Sequence, residues 1–154
     1  MVSMMKTLPF AWFMYAFLNA IGVVFYRWGI GETLSHFFYP YLISGASTLL
    51  SGAIIGMVYL LIVKTAPSRT VSVLGWAHLL CAAVSAVTGF WLGRFTYQNR
   101  WDRANGLDVE YVSSLYPSIV QFSTSVFGSI FFLIVIFTAY RDAKAPSTEA
   151  HNFD

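Results

Sequence analysis

Four long stretches without a charged residue constrain this chain more than any other feature of its sequence. Residues 7–26, 33–63, 70–93 and 111–140 contain no Asp, Glu, Lys or Arg. An α-helix rises about 1.5 Å per residue, so about 20 apolar residues cross the roughly 30 Å hydrocarbon core of a bilayer. Each stretch is long enough to do so. The sequence therefore predicts an all-α fold, an integral membrane four-helix bundle.

The bundle is predicted to occupy residues 1–142, and residues 143–154 are predicted to form a polar C-terminal tail. Backbone polar groups find no partner in lipid, which is why the spans are expected to be helices. We place the spans at residues 8–26, 39–63, 71–92 and 116–140.

Composition supports this class and excludes others. Hydrophobic residues make up 57% of the chain and charged residues 10%, whereas soluble domains carry about 25% charged residues. The net charge of +2 is small and dispersed, so we expect the lipid bilayer and not a nucleic acid as a partner. The single cysteine, Cys81, lies in the third stretch and reads as a small buried apolar residue.

An even number of spans puts both termini on one side of the membrane. Five basic residues fall on that side and four on the other, which under the positive-inside rule favours cytoplasmic termini. Short loops and the absence of glycosylation sequons favour a bacterial-type plasma membrane. The five are Lys6, Lys64, Arg69, Arg141 and Lys144, and the four are Arg27, Arg94, Arg100 and Arg103.

Aromatic residues gather near the span ends and are expected to lie at the lipid headgroups. Trp12, Trp28, Trp91, Trp101 and Tyr140 belong to this predicted belt. The longest connection, residues 94–115, mixes aromatic with charged residues and contains the turn signal Asn105-Gly106. It reads either as a lid or docking surface, or as a loop anchored at the headgroups.

Small and polar residues recur along one face of each span. Helices in membranes approach closely at such residues, so we expect these faces to point inward. Gly52 and Gly56 form a GxxxG pair in the second span, and Gly89 lies on the corresponding face of the third. Gln121 lies on the small and polar face of the fourth span, and Asn19 lies on that of the first.

Few residues in the spans could carry chemistry. Intramembrane polar groups are costly and point to function, which makes Asn19, His78 and Gln121 the candidates for a polar path. His78 reads either as a functional group, with a weak case for cofactor binding, or as a neutral histidine bonded to a carbonyl or hydroxyl. His36 and His78 lie about 20 Å apart along the membrane normal, too far to ligate one haem. No catalytic set and no metal-binding spacing is predicted.

Residues 36–141 resemble the C-terminal helices of haem–copper oxidase catalytic subunits. The order and spacing of their glycine and aromatic residues are most similar to those of the nitric oxide reductase branch. The likeness rests on Gly52, Gly56, Tyr59, Gly89, Tyr116, Pro117, Gly128 and Tyr140. The family carries a His-x-His pair for its haems, whereas Phe37 and Phe38 follow His36 here. The resemblance therefore implies a bundle without its own haem ligands, and any haem is expected in a partner subunit.

These patterns predict a non-catalytic membrane subunit of a larger complex. The resemblance implies that this complex is a respiratory or redox complex. The alternative is a small oligomeric transporter or channel, with Asn19, His78 and Gln121 lining its path. We expect partners among other membrane subunits or copies of the same chain. No enzyme activity and no cofactor is predicted for this chain itself.

Overall fold

The computed structural model describes residues 2–29, 34–106 and 115–144, without the side chains of 2–3, 26–29, 34–41, 96–97 and 115. The predicted fold class is confirmed, because all four described elements are α-helices long and apolar enough to span a bilayer. The protein is thus an integral membrane protein. The helices are α1 (Val2–Gly29), α2 (Leu34–Thr65), α3 (Arg69–Ala104) and α4 (Leu115–Lys144).

Helix α3 continues beyond the predicted end of its span at residue 92 and takes up part of the expected 94–115 loop. Its 36 residues measure about 54 Å, more than a bilayer core requires, so its charged end can reach water. Gln98 donates to the Asp102 carboxylate at 3.0 Å, a one-turn pair that supports the helix there. The helix ends at Ala104 with Asn105 as its C-cap, and Gly106 follows with a φ of 69° that suits glycine. Residues 107–114, and residues 145–154 of the tail predicted at 143–154, lie outside the described residues.

The helices pack as two close pairs. Helix α1 lies mainly against α2, and α3 mainly against α4. In the first pair, a Cβ atom added at Gly52 would lie 2.5 Å from Ala16 Cβ, and one at Gly56 would lie 3.0 Å from the Phe13 ring. In the second pair, a Cβ atom at Gly89 would lie 2.9 Å from Gln121 Nε2. The glycines therefore set how closely the paired backbones approach.

The two pairs join at one end of the bundle, where α1 and α3 begin and α2 and α4 end. We call this the terminal end. The side chains buried most completely there are Leu8, Trp12, Tyr59, Val71 and Val135, which come from all four helices. Met5, Ile62, Ala66 and Ala139 extend the same cluster. This apolar core closes the bundle at the terminal end.

The position predicted for Trp12 is wrong. An interfacial Trp12 was predicted, but its side chain is 1% exposed and belongs to the core. Trp12 lies on the face of α1 that packs against α2 and α3. Its ring is stacked on that of Tyr59, with 5.8 Å between the centroids, and lies 4.6 Å from that of His78, so it is buried between helices.

We predict that Gly52→Leu destabilises the bundle, because the added side chain must displace Ala16. Overpacking of this kind costs about 1–3 kcal/mol. The measurement is the free energy of unfolding in mixed micelles, followed by circular dichroism. Ala46→Leu is the matched control, since Ala46 is exposed on α2. Equal stability of the two variants would contradict the close α1–α2 contact.

Candidate functional site

A polar groove runs along the inside of the bundle between α1, α3 and α4. Its volume is about 530 Å³, within the range of protein binding sites. None of the described α2 residues lines it. The lining residues are Tyr15, Asn19 and Val23 of α1; His78, Ala82, Ser85, Ala86, Gly89 and Phe90 of α3; and Gln121, Thr124, Ser125, Gly128 and Ser129 of α4.

The contacts between helices give the order of these residues along the groove. A Cβ atom added at Gly128 would lie 3.4 Å from His78 Cδ2, so these two residues share the deep end, next to the terminal core. Gln121 lies against Gly89 at the other end. His78 and Gly89 are eleven residues apart on α3, so the groove is about 16 Å long. Three turns of helix would fit along it.

His78 forms the floor of the groove. It is 8% exposed and its Nδ1 atom lies 3.0 Å from the Tyr59 hydroxyl of α2. Its ring centroid lies 4.6 Å from that of Trp12 and 5.0 Å from that of Phe132. None of the hydrogen bonds between described residues uses the second ring nitrogen, Nε2. His78 therefore joins the apolar core through one nitrogen and can offer the other to the groove.

Asn19 contributes a partly used amide on the α1 wall. Its Nδ2 atom donates to the Tyr15 hydroxyl at 3.3 Å, and that hydroxyl donates to the Ala82 carbonyl of α3 at 3.0 Å. Tyr15 thereby joins α1 to α3 across the bundle. No hydrogen bond to Asn19 Oδ1 is present among the described residues, so this acceptor remains for an occupant of the groove.

Gln121 contributes an amide on the opposite wall, from α4. Its Nε2 atom lies over Gly89, where only a residue without a side chain leaves room. Across the described part of the chain, no hydrogen bond joins the Gln121 side chain to another group. Asn19, His78 and Gln121, which the sequence analysis named together, thus lie on three helices around one groove.

The hydroxyl groups of the groove already have partners. Ser125 and Ser129 donate to carbonyls of their own helix at 2.8 and 2.9 Å, and the Ser85 and Ser125 hydroxyls lie 3.0 Å apart. Such bonds make serine tolerable next to lipid. Ser125 and Ser129 are exposed, which marks the α4 rim as the lateral opening. No Asp, Glu, Lys or Arg occurs among the described residues that line the groove.

The other candidates lie elsewhere. Gly52 and Gly56 pack α2 onto α1 and do not line the groove. The His36 side chain is outside the described residues. Within the described part of the chain, no three His, Cys, Asp or Glu residues group as metal ligands would.

The sequence does not place two of the residues next to His78 at the site. Trp12 and Phe132 flank His78, and the Trp12 Nε1 atom is buried without a hydrogen-bond partner among the described groups. Leu8, Trp12 and Ala16 recur at steps of four on α1, a helical spacing that could have identified the buried face.

We predict that Tyr59→Phe lowers stability by about 0.5–1.5 kcal/mol, the usual worth of a buried hydrogen bond. The variant keeps the ring stacked on Trp12 and removes only the hydroxyl that meets His78. Unfolding in mixed micelles measures the loss, and Tyr140→Phe, at a 58% exposed site, is the control. If Tyr59→Phe is no more costly than Tyr140→Phe, the Tyr59–His78 hydrogen bond does not stabilise the bundle.

Comparisons of the chain with protein-family models, with curated proteins and with solved structures find no match. The groove is therefore interpreted from its own geometry. That geometry is a neutral, polar cleft about 16 Å long, closed at the terminal end and open at its side.

Proposed function

We propose that the protein is a non-catalytic subunit of a larger membrane complex, and that its groove receives a transmembrane helix of a different subunit. The observation that carries this proposal is the laterally open groove, lined by small residues and by polar groups that remain unpaired. This arrangement favours binding of a partner over catalysis of a reaction.

The lining residues favour a helix as the occupant. Ala82, Ala86 and Gly89 recur at steps of four and three along α3, and Ser125 and Ser129 lie on the facing part of α4. Side chains this small let a second backbone come close, as membrane helices do when they associate. An elongated groove parallel to the helices also matches the shape of a helix better than that of a compact molecule.

The unpaired polar groups give a reason for binding. An amide or imidazole nitrogen without a hydrogen bond is unfavourable in an apolar medium, by about 1–3 kcal/mol in mutational data. A partner helix with a polar side chain at the right depth would satisfy Asn19, His78 or Gln121. Hydrogen bonds between membrane helices contribute about 0.6 kcal/mol each, so several weak contacts would act together with close packing.

The alternative, a transporter with a path through Asn19, His78 and Gln121, has one point in its favour, since the three residues do line one cavity. The same cavity ends at His78. Beyond it, Leu8, Tyr59 and Val71 are fully buried and fill the terminal half. A path across the membrane would require this core to open, and for that reason we favour the subunit.

The setting of the complex is part of the proposal. The resemblance of residues 36–141 to haem–copper oxidase helices supports a respiratory or redox complex, with haem held by a partner. The excess of basic residues at the terminal end supports cytoplasmic termini, and the short loops without glycosylation sequons support a bacterial-type plasma membrane.

We predict that a small diazirine photocrosslinker in place of Ser129 captures a transmembrane segment of another protein in native membranes. Ser129 lies on the groove rim, and a crosslinker in place of its neighbour Ile130 is the depth-matched control, since Ile130 is exposed outside the groove. Mass spectrometry of the joined peptide identifies the segment. A second substitution, Ser125→Leu, should abolish capture because it fills the groove.

Adducts at Ser129 that contain only lipid would contradict a helix in the groove. Adducts that contain a second copy of this chain would contradict a different subunit and would favour the oligomeric transporter. Equal capture by crosslinkers at Ser129 and Ile130 would show that the partner contacts α4 without binding in the groove.

For orientation, we predict that a cysteine at Lys144 reacts with a membrane-impermeant maleimide only after the cells are permeabilised. A cysteine at Arg100 should react in intact spheroplasts, because the charged end of α3 lies on the opposite side. Both are made in a Cys81→Ser chain. The reverse pattern of labelling would place the termini outside the cytoplasm.

A further inference from the structure

A second pocket lies at the terminal end of the bundle, apart from the groove. Its volume is about 260 Å³, and the start of α1, the end of α2 and the start of α3 surround it. The lining residues are Met5, Lys6, Val63, Pro67, Ser68, Arg69 and Ser72. These residues lie at the edges of the predicted spans, so we expect the pocket to lie at the membrane surface.

Two positive charges line this pocket. The Lys6 and Arg69 side chains are exposed and come from different helices. In the described parts of the chain neither forms an ion pair, whereas Arg141 is paired with Asp142 at 3.1 Å. No acidic residue is among the described lining residues. Among the described residues, the pocket therefore carries two positive charges without an acidic partner.

The backbone around the pocket is held in place. The Trp76 indole donates to the Met4 carbonyl at 3.0 Å and ties the start of α1 to α3. The Ser68 hydroxyl accepts from the Val71 amide at 3.2 Å and caps α3. The first turn of this 36-residue helix adds the positive end of its dipole to the two side chains.

The inner wall of the pocket is apolar. Met5 is 6% exposed, and Val63 and Pro67 complete this wall beside the two cations. An inorganic phosphate ion would use the charges but not this wall. A phospholipid presents both parts at this depth, a phosphate group at the surface and glycerol with acyl chains below it. Basic pockets between membrane helices are suited to such headgroups.

We propose that this pocket binds the phosphate of an anionic phospholipid, with Lys6 and Arg69 as its charged contacts. The site is separate from the groove and does not depend on the proposed subunit role. It would fix the terminal end of the bundle in a leaflet that contains anionic lipid.

Native mass spectrometry of the full chain tests the proposal, with phosphatidylglycerol, phosphatidylcholine and inorganic phosphate as probes. We expect phosphatidylglycerol to bind at least about tenfold more tightly than phosphatidylcholine. The double variant Lys6→Gln, Arg69→Gln should bind it about thirtyfold more weakly, the loss expected for two interfacial basic residues. Lys144→Gln, which removes one charge from α4 outside the pocket, should change the affinity by less than about twofold.

A charge-preserving variant, Lys6→Arg with Arg69→Lys, separates loss of the site from loss of the fold, and it should retain binding. Equal affinity for the two lipids would overturn the proposal, as would a loss in Lys144→Gln as large as in the double variant. Inorganic phosphate that binds as tightly as phosphatidylglycerol would overturn the assignment to lipid.

Discussion

Close approach of helix backbones at small residues is the interaction on which this bundle depends. In lipid, apolar side chains gain little by leaving their solvent, so helix association relies on packing and on hydrogen bonds. Gly52 against Ala16 draws α1 to α2, and Gly89 under Gln121 draws α4 to α3. The chain is thus built as two hairpin-like pairs, and their mutual contact is made mainly at the terminal end.

The groove follows from this arrangement. Where the pairs join, large side chains such as Trp12 and Tyr59 fill the space between them. Farther along, the facing residues of α3 are Ala82, Ala86 and Gly89, which are too small to do so. The Tyr59–His78 hydrogen bond marks the boundary between the two regions. Gly89 has both roles, since it packs α3 against Gln121 of α4 and also lines the cleft in which we propose that a further helix packs.

The sequence predicted the helices well because the cost of burying a charge in hydrocarbon marks each span directly. Asn19, His78 and Gln121, which share their predicted inward faces with small residues, do line one groove. The sequence did not predict the burial of Trp12, because an aromatic ring suits both an interface and a core. The extension of α3 to Ala104 was missed because charges mark the end of a span and not the end of a helix. The sequence did not predict which helices flank the groove. The pattern within one helix shows its inward face but not which other helix packs against it.

The terminal pocket has a different origin. It arises where α2 turns into α3 through Pro67 and Ser68, and it combines charge with an apolar wall at one depth. We propose that the groove binds a protein and that the pocket binds a lipid.

The most direct test of the central claim is a cryo-electron microscopy map of the assembly isolated from native membranes with its lipid. We predict continuous helical density of a different subunit along the groove, within contact of Ser125 and Gly89. A groove occupied by lipid or detergent, with partner subunits bound to another face or absent, would contradict it.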